Sequence, residues 1–182
     1  IEEPDSLEVL EFITHVECFG DSTGSIEIDI SGGMPFYSVT WIGPNSFSSN
    51  DEDIYSLYAG AYDLQMVDQN GCIYTNTFIV NQNNEILVEV NPTMPLCYGD
   101  SNGTIDLTIS GGSGELTTEW SGDIEITAED ISDLAAGTYN YFVYDEMGCN
   151  VLGTVELENP DSLNVLPTIT NISCNGETDG SI

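Results

Sequence analysis

The sequence predicts an all-β chain built from tandem two-sheet sandwich modules. Three observations carry the prediction. One motif recurs three times at near-constant spacing, apolar and polar residues alternate with period two, and no segment of 12 or more residues has a helical period.

The recurring motif opens at Cys18, Cys97 and Cys174, reading CFGDSTGSI (18–26), CYGDSNGTI (97–105) and CNGETDGSI (174–182), at spacings of 79 and 77. The remainder of each unit keeps step. Gly32-Gly33 matches Gly111-Gly112, and Trp41 stands as far from Cys18 as Trp120 does from Cys97. Ala59-Gly60-Ala61-Tyr62 matches Ala136-Gly137-Thr138-Tyr139, and DQNGC (68–72) matches DEMGC (145–149). The interval from Cys72 to Cys97 equals that from Cys149 to Cys174. The second copy is slightly shorter between Trp and Ala-Gly, which marks a loop there. The expected organisation is therefore residues 1–4 as the end of a preceding unit or its linker, units at 5–83 and 84–160, and the start of a third unit at 161–182. Stopping inside the motif suggests a window on a longer array. The linkers NQNN (81–84) and ENPD (158–161) are short, polar and turn-forming.

Each element has its own pattern. SIEIDIS (25–31) and TIDLTIS (104–110) place aliphatic residues on one face and acids or hydroxyls on the other, as half-buried strands do. AYDLQMVD (61–68) and TYNYFVYD (138–145) read the same way, and IYTNTFIV (73–80) and TVELE (154–158) supply the last strands. About seven short strands per unit fit an immunoglobulin-like sandwich, of the fibronectin or PKD type. Trp41 and Trp120 then fall on the third strand as core residues between the sheets. Tyr62 and Tyr139, entering the penultimate strand, fit a tyrosine corner.

Charge narrows the partners. The 182 residues hold 32 acids, one histidine, and no lysine or arginine. Nucleic acid is excluded as a direct partner, because phosphate contacts need cations. Anionic membrane surfaces are repelled, and no run of 18 apolar residues offers a span. Ordinary salt bridges are excluded too, since His15 is the one candidate cationic side chain. Stability must come from the core, backbone ladders and disulfides, with bound cations as a further candidate source. Five cysteines at regular spacing suggest an oxidising, extracellular setting.

No catalytic constellation emerges, so the chain is not expected to be an enzyme. A single His15 cannot serve a nucleophile in each repeat, and the cysteines lack metal-type C-x-x-C spacing. Calcium is the one cofactor weighed. DSNGTID (100–106) resembles the middle of an acidic loop, which makes Asp21, Glu27, Asp100 and Asp106 weak ligand candidates. The competing reading is a glycine-containing turn capped by Asp21 and Asp100.

Together the string C-x-G-x-x-x-G-[ST]-I, then GG, W, L-x-A-G-x-Y and D-x-x-G-C resembles the SprB-type repeat of giant cell-surface adhesins of Bacteroidetes, some used in gliding motility. The resemblance runs through both units and the third fragment. It implies a surface filament exported by type IX secretion, with neighbouring repeats as its immediate partners and extracellular polysaccharide or substratum as its target. The family's Pro-Tyr after the Gly-Gly pair stands here as Met34-Pro35-Phe36-Tyr37 in one unit and Ser113-Gly114-Glu115 in the other. O-glycosylation of the kind found in those bacteria would fall on Ser6 and Ser162, in Asp-Ser-Leu, and less well on Ser22. The expected role is a stalk or spacer, with a carbohydrate-binding module that itself makes the adhesive contact as the alternative.

Pairing of the cysteines has two solutions. Within a unit it gives Cys18–Cys72 and Cys97–Cys149. Cys18 is expected to end the first strand, at the turn into the second, and Cys72 to sit at the hairpin between the last two strands. In an immunoglobulin-like sandwich those two turns lie at opposite poles. A strand of about eight residues separates poles by roughly 25 Å, while a disulfide needs Cα atoms within about 7 Å. In a head-to-tail string the lower pole of one unit meets the upper pole of the next. That favours Cys18–Cys149, leaving Cys72, Cys97 and Cys174 to partners outside the window.

Overall fold

The period-two alternation becomes strands whose alternate residues line two cores. The computed structural model describes residues 5–182, so the expected preceding-unit segment 1–4 lies outside the described residues. In the first unit, β1 (Glu8–Thr14), β2 (Gly24–Ser31) and β5 (Ile54–Leu57) form one sheet, in the order β1-β2-β5. The other sheet has the order β4-β3-β6-β7, from β3 (Ser38–Ile42), β4 (Ser48–Ser49), β6 (Gly60–Val67) and β7 (Ile73–Val80). The second unit repeats the plan. β8 (Asn84–Thr93), β9 (Gly103–Gly112) and β12 (Ile131–Leu134) make its three-stranded sheet. β10 (Thr117–Gly122), β11 (Ile126–Thr127), β13 (Gly137–Tyr144) and β14 (Asn150–Leu157) make its four-stranded sheet. This is the predicted immunoglobulin-like sandwich.

Side-chain alternation sets which face is buried. On β6, Tyr62, Leu64 and Met66 are buried while Ala61, Asp63 and Gln65 face water. Trp41 stands opposite Leu64 in register and Tyr62 opposite Phe78, and the Trp41 and Phe78 rings pack with centroids 5.6 Å apart in the core of unit 1. Trp41 is fully buried, and its indole N–H donates to the backbone oxygens of Asp51 and Glu52. Trp120 repeats this with one bond, to Ala128 O at 2.9 Å. A buried indole needs such an acceptor, because its N–H loses water on folding. The Tyr62 hydroxyl donates to Tyr58 O and the Tyr139 hydroxyl to Ala135 O, each at 2.9 Å, which are the two tyrosine corners.

Two details differ from the sequence reading. The last strand of unit 2 begins at Asn150 rather than Thr154, because pairing with β13 runs unbroken from Tyr144–Asn150 to Gly137–Leu157. Cys18 does not end the first strand. β1 stops at Thr14, and the following loop crosses to the linker just beyond β7, where Val16 bridges Gln82 in parallel and its N–H donates to Asn81 O at 2.9 Å. The predicted length difference after the tryptophan is a single 3-10 turn, Pro44–Ser46, present in unit 1.

Candidate functional site: the stapled junction

The crossing loop of unit 1 and the last hairpin of unit 2 meet at the linker. Its first half is the turn Cys18-Phe19-Gly20-Asp21. The Asp21 N–H donates to Cys18 O at 3.2 Å, and Gly20 sits at φ +79°, which L side chains rarely adopt. The linker holds this turn in place. Gln82 Oε1 accepts from the Gly20 N–H at 2.9 Å, and Asn83 Nδ2 donates to Glu17 O at 2.8 Å. His15 joins the same network, taking the Asn81 N–H on Nδ1 at 3.1 Å. The imidazole therefore serves the linker backbone as an acceptor.

The second half is the turn Asp145–Cys149, built around a buried carboxylate. Asp145 Oδ1 accepts from the N–H groups of Met147 (3.0 Å) and Cys149 (2.9 Å), and Oδ2 accepts from Ser113 N–H (2.9 Å). One side chain thus shapes the hairpin and ties it to the Gly-Gly turn of another strand pair. Asp68 does the same in unit 1, accepting from Asn70 (2.9 Å), Cys72 (2.7 Å) and Met34 (3.0 Å). The Met34 bond, with those to Cys72 and Asn70, holds the Asp68 carboxyl below the ordinary value of 3.8, against the opposing effect of burial. Gly32 and Gly111, at φ +74° and +85°, lead into those turns. A Cβ on either would collide with a backbone carbonyl, of Ser6 and Glu85 respectively.

These halves are joined by a disulfide between Cys18 and Cys149, whose Cα atoms are 5.4 Å apart although the sequence separation is 131. With those two bonded to each other, neither is left for the within-unit alternative, Cys18–Cys72 with Cys97–Cys149. Cys149 is buried with Ile86 and Val143 at the base of unit 2, and Cys18, Leu116 and Val151 pack against that cluster. The staple is thus seated in the second unit's core. Phe19, Asp21, Asn84, Glu85 and Asn150 line the groove around it.

Cys72, Cys97 and Cys174 are free and exposed, at the outer faces of the two units and in the third fragment. The surroundings of Cys97 copy those of Cys18. Asp100 N–H donates to Cys97 O at 3.1 Å, and Asn159 takes the Gly99 N–H at 3.0 Å, as Gln82 takes that of Gly20. Cys72 lies in a groove lined by Asp5, Leu7, Gly33 and Tyr74, the counterpart of the groove around Cys149. In the third fragment Glu177 N–H donates to Cys174 O at 3.1 Å, so the turn forms there as well.

The other sequence candidates scatter. Asp21 and Asp100 sit in the opening turns, whereas Glu27 and Asp106 project outward from β2 and β9. Asp100 Oδ2 accepts from Asn102 Nδ2 at 3.3 Å, within its own turn. Among the described residues no group of three or more His, Cys, Asp or Glu side chains gathers as for a metal ion. Ser6 and Ser162 are exposed and Ser22 is half-buried. Trp41, Trp120, Tyr62 and Tyr139 are all in the cores. The sequence reading gave no role to Asp68 and Asp145, or to Asp53 and Asp130, which accept the Ile28 and Leu107 N–H groups at 2.9 and 3.0 Å. Their recurrence at the same place in both copies was the available signal.

Several solved structures show partial similarity to the chain. A titin I-band fragment, I67–I69, is 14% identical, with 87% of this chain and 66% of that one covered at a TM-score of 0.46. The ectodomain of mouse nectin-like molecule 4 is 10% identical, covering 89% and 67% at 0.42. A Dscam structure is 14% identical at 0.36, with 87% of this chain and 47% of that one covered. No curated protein matches. The family comparison falls on the opening motif and its flanking strands in each sandwich: residues 10–46 and 90–123 match the SprB repeat.

Proposed function

We propose that the chain is a stretch of stalk in a bacterial cell-surface adhesin, in which sandwich units run head to tail and each junction is closed twice, by its linker and by a disulfide. The observation that carries this reading is the Cys18–Cys149 staple between consecutive units. The matching turns at Cys97 and Cys174 and the matching groove at Cys72 support extending it to the neighbours on either side. In this reading the filament is extracellular, exported by type IX secretion, and holds the adhesive contact away from the cell during adhesion or gliding. It involves no catalytic step and no required cofactor. The 32 carboxylates, with no lysine or arginine, keep filaments apart and soluble.

One observation favours the second reading, a carbohydrate-binding module. Leu10, Phe12 and Tyr55 are more than half exposed on the outer face of the β1-β2-β5 sheet, around Glu27. The matching positions in unit 2 are Glu89, Asn91 and Ser132. A glycan array separates the readings. The stalk predicts no binding by this chain. Binding that is lost in both Phe12→Ala and Tyr55→Ala would transfer the adhesive role to unit 1.

A further inference from the structure

The position of the staple determines how force passes through the chain. The short covalent path runs along residues 5–18, crosses the disulfide to Cys149, and continues along residues 149–160. Residues 19–148 form a closed ring attached at one point. A chain extends by at most about 3.6 Å per residue. The bypass from Asp5 to Pro160 therefore cannot exceed about 90 Å, however much of the ring unfolds. The same ends joined by backbone alone would reach about 560 Å. Folded, two units with strands of 8 to 10 residues already span about 60 Å or more, at roughly 3.3 Å per residue.

We infer that the staple makes the units nearly inextensible: it shunts load past the sandwich cores, so that unfolding a core lengthens the chain by no more than about 30 Å, the difference between the bypass and the folded span. This rests on the stalk reading for its biological sense, but not for its geometry. In a fully stapled array the logic repeats, because the interval from a second cysteine to the next opening cysteine is constant, Cys72 to Cys97 and Cys149 to Cys174. Two interleaved load paths result. Each runs along the last strand of one unit and the first of the next, then crosses a staple. Every two units then contribute about 90 Å of covalent path, little more than their folded length. Lengthening by successive unfolding of units is excluded, and a pull at one end is delivered to the other.

Stretching single molecules of the full chain between peptide handles at its two termini tests the inference. Under oxidising conditions the path through the staple, 1–18 and 149–182, gives a fully stretched length of about 185 Å, with no unfolding step above about 30 Å. With reductant present, or in Cys149→Ser, the stretched length becomes about 650 Å, whether or not the variant folds. Where its units fold, two steps of about 240 Å each appear. Steps of about 240 Å in oxidised chains whose Cys18–Cys149 bond is verified by peptide mapping overturn the bypass and leave the stalk reading standing. Absence of that bond overturns both.

Discussion

Breaking the staple by Cys149→Ser destabilises both units by nearly the same amount, because it sits at the boundary between them. When unit 2 unfolds while unit 1 stays folded, Cys18 is held beside Gln82 by the Val16 bridge. The loop that the staple closes is then residues 83–149, and chain entropy assigns a loop of about 67 residues roughly 4 kcal/mol. When unit 1 unfolds instead, Cys149 is held in the cluster with Ile86, and the closed loop is residues 18–84, of the same length. Each unit carries one buried tryptophan, so Trp41→Phe or Trp120→Phe leaves fluorescence to report the other unit. With urea m-values of about 1–1.5 kcal/mol/M for domains of this size, Cys149→Ser lowers each midpoint by about 3 M. A fall confined to unit 2, or one under about 1 M in both, is incompatible with a staple that closes a loop through each unit.

Tyr62→Phe leaves the buried ring in place but deprives Tyr58 O of its donor, and costs unit 1 about 1–2 kcal/mol in urea titration. Gly111→Ala drives a Cβ into Glu85 O at a left-handed φ, and destabilises unit 2 by about 2–3 kcal/mol, whereas Gly148→Ala, with open space around it, costs only the left-handed strain of about 1–2 kcal/mol. The lowered Asp68 carboxyl contributes stability above its unfolded value of 3.8 that is lost as pH falls through its folded value. The urea-midpoint gap between the native chain and Asp68→Asn is therefore constant at neutral pH and closes as pH drops below 3.8. A gap that persists in full acid would remove the carboxylate from its role in the turn.

The fold was legible because three internal copies act on one sequence as repeated readings of the same unit. Alternation in SIEIDIS and TIDLTIS assigned inward and outward faces of β2 and β9, and the tryptophan spacing placed both indoles on the third strand. The junction was legible from topology alone, since a pole-to-pole argument needs only strand order and length. The buried carboxylates were not. Asp68 meets Met34 at a sequence separation of 34, and Asp145 meets Ser113 at 32, so nothing local in DQNGC or DEMGC shows the third bond. The ties of Gln82 to Gly20 and Asn159 to Gly99, at separations of 62 and 60, were hidden likewise, and the differing letters at that position concealed a shared acceptor. His15 stands out in the sequence as the one candidate cationic side chain. Its role is an acceptor for Asn81 N–H, and Met94 at the matching position receives Glu158 N–H on its sulfur.

Whether cysteines join consecutive units, rather than closing each unit on itself, is decided by non-reducing peptide mapping of a longer native array. The protease must cut at acidic residues, since the chain has no lysine or arginine. The expected products are a Cys18–Cys149 linked peptide, Cys97 linked to the second cysteine of the following unit, and Cys72 linked to the opening cysteine of the preceding one. Recovery of Cys18–Cys72 or Cys97–Cys149 would overturn the stapled junction.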